Sequence, residues 1–455
     1  MDYENHRTVA TLGEVVRLRL KVRRCQVPGC ARYHRPYRPE AEGRWALPGH
    51  EFGLDVIAQI GSWRYREHRT VPEIHMGLQE HKVQISQRSV TNLLGRYDEL
   101  VTLSMQDNAR LRQILAEQGR VILAIDGLQP EVGHEVLWVL RDCLSGEVLL
   151  ARALLSSTQD DLAALIREVV RALSVPVAGV ISDGQRSIRR AVAKALPDVP
   201  HGLCHYHYLR EAVRPIYAAD RHAKKELKKH VRGVRRLERA CEAREDDLGE
   251  VIQGYCQAVR SALTDDGLPP LDAAGLRLRS RLTAITESLE RAGGKGGLTT
   301  ELCKLKALLE RGLQETAALW EPLEHVYGWV HIAACILDNP DGLEGAHVRR
   351  RYQGLLGAMQ RWRGKASELA PETAHFLKVT RSYWPGLFHC YDIPDLPRTN
   401  NDLEHLFGSY RHQERRITGH KRASPTLVLR GAVRIVAAVA TRLHAFSAAD
   451  LAQED

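Results

Sequence analysis

No stretch of the chain reaches 18 consecutive apolar residues, and that lack excludes a membrane-spanning helix. The opening residues Met-Asp-Tyr-Glu-Asn-His-Arg have no apolar core of the kind a secretory signal needs, which sets the expectation of a protein kept inside the cell. Cysteine is sparse and odd in number. Nine residues, at 25, 30, 143, 204, 241, 256, 303, 335 and 390, make no disulfide framework and fit a reducing cytoplasm. A clear internal repeat is missing, and the heptads of the middle region are too irregular for a sustained coiled coil. A large charge excess is missing too: 65 Lys and Arg against 56 Asp and Glu leave +9 over 455 residues, a mild lean toward a polyanionic partner.

What remains is an ordinary globular composition, 44% apolar and 27% charged, long enough for two to four domains. Charge is more informative locally. Residues 17–38 carry Arg17, Arg19, Lys21, Arg23, Arg24, Arg32, Arg35 and Arg38 and no acid. Inside that stretch lies Cys25-x4-Cys30-x3-His34, with His50 further on. Thiolate and imidazole donors at short spacing suit a small Zn²⁺ knuckle, although a fourth ligand is not evident. Two unpaired thiols in a basic arm are the other reading, and both stay open for residues 1–51.

Residues 52–105 carry helical periodicity in three pieces. Leu54, Ile57, Ala58 and Ile60 serve a first helix, and Pro72 suits the first turn of a second bearing Ile74 and Leu78. A turn through Lys82, Val83 and Gln84 leads to Ser86 as cap of a third helix with Val90, Leu93 and Leu94. A helix, a tight turn and a capped helix is the helix-turn-helix pattern, in which Gln87, Arg88, Thr91 and Asn92 would face a major groove. Plain trihelical packing gives the same periodicity.

Residues 116–218 read as an α/β segment. Val121–Ile125 is a continuous apolar run, as expected of a strand buried on both faces, and ends in Asp126-Gly127. Two strands near 135–142 and 147–155 follow, joined at Ser145-Gly146. A helix near 162–173, a strand at 177–181 ending in Ser182-Asp183-Gly184, a helix near 186–196 and a short strand near 201–204 complete the order. The order β-β-β-α-β-α-β-α is that of a ribonuclease H-like core, with the first and fourth strands parallel neighbours. Asp126 and Asp183 would then emerge at one edge, where two carboxylates in a dry cleft are tolerable around a divalent cation. An Asp after a strand is also a common turn former or helix cap.

Residues 219–397 read as a charged helical insertion, broken by the glycine-rich loop 291–297. Beyond it, Thr399-Asn400-Asn401-Asp402-Leu403-Glu404 opens a helix in which Glu404 could supply a third carboxylate. Arg411 falls two turns later on the same face, and Arg415, Arg416 and Lys421 extend a basic track suited to phosphates. A solvated basic helix is the plain alternative. Cys204-x-x-His207 offers two zinc donors, too few alone, and reads better as structural support near the site.

Together, Ile-Asp126-Gly, Ser-Asp183-Gly, Cys204-x-x-His207 and Thr-Asn-Asn-x-x-Glu404 with Arg411 resemble the DDE transposases of bacterial insertion sequences, within or near the mutator-like group. The resemblance covers about 121–210 and 398–422. It implies a ribonuclease H-like core whose last part is 398–455, a helical insertion before the third carboxylate, and Asp126, Asp183 and Glu404 as ligands of two Mg²⁺ (or Mn²⁺) ions. It further implies Arg411 as a phosphate contact, double-stranded DNA (transposon ends and target) as partner, and a homodimer or larger assembly on DNA. The implied chemistry is hydrolysis at the element's ends, then attack of the freed 3′-hydroxyl on target DNA, by a cytoplasmic, nucleoid-associated enzyme. A hydrolysis-only nuclease and an inactive DNA-binding regulator built on the same core are the alternatives.

Overall fold

The computed structural model describes residues 2–105, 108–129, 135–241, 244, 246–363, 368–401, 407–408 and 430–452. They form two compact units, Met1–His201 with Asp395–Asp455, and Gly202–Pro394. Among the described residues no helix is long and apolar enough to cross a membrane.

The first unit opens with an element that the basic-arm reading of residues 1–51 did not contain. β1 (Asp2–Ala10) and β2 (Val15–Arg24) form an antiparallel hairpin in register from Asp2 opposite Arg23 to Ala10 opposite Val15, and β3 (Pro36–Tyr37) adds a short third strand. The physical reason lies in β2 itself. Val16, Leu18, Leu20 and Val22 alternate with Arg17, Arg19, Lys21 and Arg23, the period-two pattern that lets a strand bury one face while solvating the other.

Three helices follow: α1 (Leu54–Tyr65), α2 (Val71–Glu80) and α3 (Gln87–Met105). α2 starts on a reciprocal cap, the Thr70 hydroxyl accepting from the Glu73 amide while the Glu73 carboxylate accepts from Thr70. The Ser86 hydroxyl accepts from the Ser89 amide at 3.1 Å and so caps α3. The helices do not close their core alone. Ala437, Ala438 and Ala440 of the C-terminal helix Gly431–Leu443 and Leu451 pack among Ile57, Ile60, Leu93 and Tyr97. The Tyr97 hydroxyl meets Thr441 Oγ1 at 2.7 Å, and Arg66 donates to the Thr441 carbonyl. Residues 52–105 therefore share a core with a segment more than three hundred residues away, instead of standing as a separate module.

That shared core makes one substitution costly. A Cβ at Gly61 would overlap the ring of Tyr97, and Thr441 holds that ring at its far end. Gly61→Ala should destabilise the full chain by about 1–3 kcal/mol, the usual cost of overpacking. A lowered urea midpoint checks this, and an unchanged one would show that the ring is free to move.

After α4 (Asn108–Gln118) come β4 (Val121–Leu128), β5 (Val136–Asp142), β6 (Val148–Leu154), α5 (Gln159–Ala172), β7 (Val177–Ser182), α6 (Arg186–Ala195) and β8 (His201–Leu203). The five strands make one mixed sheet in the order β6-β5-β4-β7-β8, antiparallel from β4 to β6 and parallel between β4 and β7. β4 is central and buried on both faces, which is why its sequence is continuously apolar. Leu162, Ile166, Ile188 and Val192 of α5 and α6 pack on Leu123, Ile125, Leu140 and Val180. The protein is thus an α/β fold built on a five-stranded mixed sheet.

The second unit is helical beyond β8: α7 (His205–His230), α8 (Val234–Cys241), α9 (Asp247–Thr264), α10 (Ala274–Gly296), α11 (Thr300–Glu315), α12 (Trp320–Asp338), α13 (Gly345–Arg363), α14 (Ala370–Tyr383) and α15 (His389–Asp392). α7 runs unbroken through the expected boundary at 218/219, so the helical unit begins at its first turn. Its core is organised by Tyr208, whose hydroxyl meets those of Tyr352 (2.7 Å) and Thr380 (2.6 Å). The buried Asp220 carboxylate accepts from the Gly275 and Leu276 amides and so satisfies the start of α10.

Candidate active site

The parallel register of β4 and β7 runs through Ala124–Ile181 and Ile125–Ser182. The next residues are Asp126, which lies inside β4 because that strand continues to Leu128 instead of ending at the aspartate, and Asp183, just past the end of β7; their backbones lie side by side, at the roughly 4.8 Å spacing of paired strands. Asp126 is 8% exposed and its Oδ1 accepts from the Gly127 amide at 2.8 Å. Asp183 is half-buried, and its Oδ1 accepts from the Gln185 amide at 2.8 Å.

The two glycines after these aspartates have different physical reasons. Gly184 sits at φ +84°, left-handed backbone that turns the chain from β7 into α6. Gly127 instead gives room to a neighbour: a Cβ there would stand 3.0 Å from the Trp138 ring, whose Nε1 donates to Ser157 Oγ. The 182–184 turn is braced from three directions. Ser182 Oγ bonds His201 Nε2 at 2.8 Å and accepts from the Gly184 amide, while Arg189 Nε donates to the Gly184 carbonyl at 2.7 Å. The sequence carries no mark of Ser182, His201 and Arg189 as positioning residues, because no local pattern signals a contact between the end of one strand and the strand or helix that follows it.

The chain returns to these strands after the helical unit. Arg120 pairs with Asp395, Leu396 is buried against Gly179 of β7, and the buried Asn400 donates its Nδ2 to the Ile125 carbonyl at 3.4 Å. Asn400 thereby touches the residue that precedes Asp126. Glu404, Arg411, Arg415, Arg416 and Lys421 lie outside the described residues.

The remaining expectations fare differently. Gln87, Arg88, Thr91 and Asn92 are all exposed in the first turns of α3, while Val90, Leu93 and Tyr97 face the core. Cys25 and Cys30 come together: the Arg32 amide donating to its sulfur, with the Cys25 thiol beside it, holds the Cys30 thiol below its ordinary range. His34 does not join them. It takes φ 58°, stacks on Tyr33 and donates its backbone amide to the Cys25 carbonyl. Cys204 is buried ahead of α7 and His207 lies in that helix's first turn, both in the second unit. Among the described residues no three His, Cys, Asp or Glu side chains gather into a metal-holding group. Of the expected zinc ligands, Cys25 and Cys30 stand together, and the carboxylate expected to join Asp126 and Asp183, Glu404, lies outside the described residues.

No protein-family model matches the chain, and no curated protein matches it significantly.

Proposed function

We propose that the chain is a metal-dependent DNA transposase of the DDE class with a ribonuclease H-like core. The observation that carries this reading is the β4–β7 register, which sets Asp126 of β4 beside Asp183 at the end of β7. Three supports stand beside it. The strand order β6-β5-β4-β7-β8, antiparallel from β6 to β4 and parallel between β4 and β7, supports a ribonuclease H-like core. The Asn400 contact at Ile125 brings the Thr-Asn-Asn segment to the same strands, and four peptide units from there to Glu404 span at most about 14 Å. The exposed start of α3, with the basic stretch before it, suits recognition of duplex DNA.

Two carboxylates on adjacent parallel strands, one of them nearly dry, are hard oxygen donors of the kind Mg²⁺ or Mn²⁺ takes. Asp126, Asp183 and Glu404 would hold the ions, which supply Lewis acidity toward a phosphodiester and lower the pKa of an attacking hydroxyl. The chain's own task is to keep the carboxylates converged. Ser182, His201 and Arg189 hold the Asp183 turn, the Trp138 ring wedges against Gly127, and Asn400 ties the third segment to β4. Arg411 and the cations after it would hold the phosphates in line, so the substrate arrives oriented and no covalent protein intermediate is required.

Transposition differs from hydrolysis and from plain binding in its second step. The full chain, given Mg²⁺ and a labelled element end with a free 3′-hydroxyl, should join that end to a second DNA molecule. Cleavage without joining points to a nuclease, and binding without either to a regulator.

A further inference from the structure

We propose that the exposed face of the N-terminal hairpin is a second DNA-contacting surface, a β-ribbon that grips the phosphate backbone of duplex DNA. The inference rests on the DNA-binding reading above and adds a site to it.

Four cations, Arg17, Arg19, Lys21 and Arg23, occupy alternate positions of β2, and all four are exposed. The residues between them are turned the other way, with Leu20 and Val22 at 6% and 1% exposure. Burial of that apolar side fixes the strand's face, since a one-residue slip would bury the four cations and expose the valines and leucines. Alternate residues of a strand are about 6.8 Å apart, a spacing of the same order as that between neighbouring phosphates on a DNA backbone, so the cations form a regular positive stripe that can meet several of them. Across the hairpin, Thr8, His6 and Glu4 stand opposite Arg17, Arg19 and Lys21. Glu4 is engaged by Arg19 through two hydrogen bonds, at 2.9 and 2.8 Å. The stripe does not stop at the strand's end. It runs into a concavity of about 560 Å³ lined by Arg23, Arg24, Arg32, Arg35 and Tyr37. Arg24 lies over the Tyr3 ring, 4.9 Å from its centroid, and this stacking holds its guanidinium at the rim. Cations at regular spacing, leading to a pocket of arginines, complement a polyanion of regular charge spacing. They carry no means of reading bases, so the contact adds affinity and register without sequence preference.

The test is the salt dependence of DNA binding by the full chain, comparing wild type with Arg17→Gln/Lys21→Gln/Arg23→Gln. Each lost phosphate contact flattens the slope of log K against log salt by about 0.9. The triple variant should therefore lose about 2.7 from the slope. Between 200 and 50 mM salt the wild type should gain about 40-fold more affinity than the variant does. The loss should be the same on element-end DNA and on unrelated duplex. Arg17→Lys/Arg23→Lys keeps the charges and should keep the wild-type slope, which separates lost contacts from a damaged hairpin. An unchanged slope in the triple variant overturns the hairpin surface while leaving the functional reading standing. Loss of binding to anionic phosphatidylserine vesicles with the DNA slope intact overturns it in favour of a lipid surface. A wild type that binds no DNA overturns both.

Discussion

Asp126→Asn and Asp183→Asn should each abolish DNA cleavage and strand transfer while DNA binding survives. The exchange is nearly isosteric, and Asn keeps a side-chain oxygen to accept from the Gly127 or Gln185 amide, so the turns that these side chains close should persist. What disappears is a charge where two carboxylates stand together. If that charge holds a catalytic cation, its loss removes several kcal/mol of transition-state stabilisation. Some 4 kcal/mol already means about a thousandfold in rate. Glu404→Gln should behave in the same way, because a carboxylate within chain reach of Ile125 completes the set. Single-turnover cleavage and joining assays, with binding measured in parallel, check all three. Full strand transfer by any one of them would sink the assignment.

The elements that positioned this pair were legible because their burial is two-sided. A central strand covered on both faces leaves a continuous apolar run, and Val121–Ile125 shows it plainly. The hairpin of β5 and β6 was legible from Ser145-Gly146, where Gly146 takes φ +80°. The N-terminal hairpin was less so. β1 is polar along most of its length, and the cations of β2 drew attention to charge, although their strict alternation with Val16, Leu18, Leu20 and Val22 is itself a strand signal. Contacts between distant segments left no local trace at all. Asn400 meets a backbone carbonyl 275 positions earlier, and Thr441 meets Tyr97 across 344. Side chains that serve such contacts look like any Asn or Thr. The same limit hid Ser182 and His201, which brace the Asp183 turn from neighbouring strands.

The same distant packing creates a pH-dependent element among the N-terminal helices. Asp98 lies on the buried side of α3, 3% exposed, and burial pushes its carboxyl up to about 6 from an ordinary 3.8. The Tyr65 hydroxyl, donating to Oδ1 at 2.6 Å, and Arg434, with Nε 3.8 Å from Oδ2, oppose that rise without cancelling it. Below about pH 4 the folded and unfolded chains both hold this proton. Between pH 4 and 6 the unfolded chain has released it and the folded chain retains it, so stability falls as pH rises. A window of some 2 pH units at 1.36 kcal/mol each amounts to about 3 kcal/mol from this one group. Above about pH 6 both states have lost the proton and the cost stays constant. Asp98→Asn removes the titration while retaining an acceptor for Tyr65. The variant should match the wild type near pH 4 and exceed it by up to about 3 kcal/mol near pH 7. Hydrogen exchange of the α3 amides across that range measures the gap locally, where a second unit unfolding separately would not blur it. Parallel curves for the two proteins would mean that Asp98 stays ionised in the fold, held by Arg434. A widening gap would mean that the seam between α3 and the C-terminal helix tightens as pH falls toward 4, bringing the exposed start of α3 under the control of a carboxyl buried behind it.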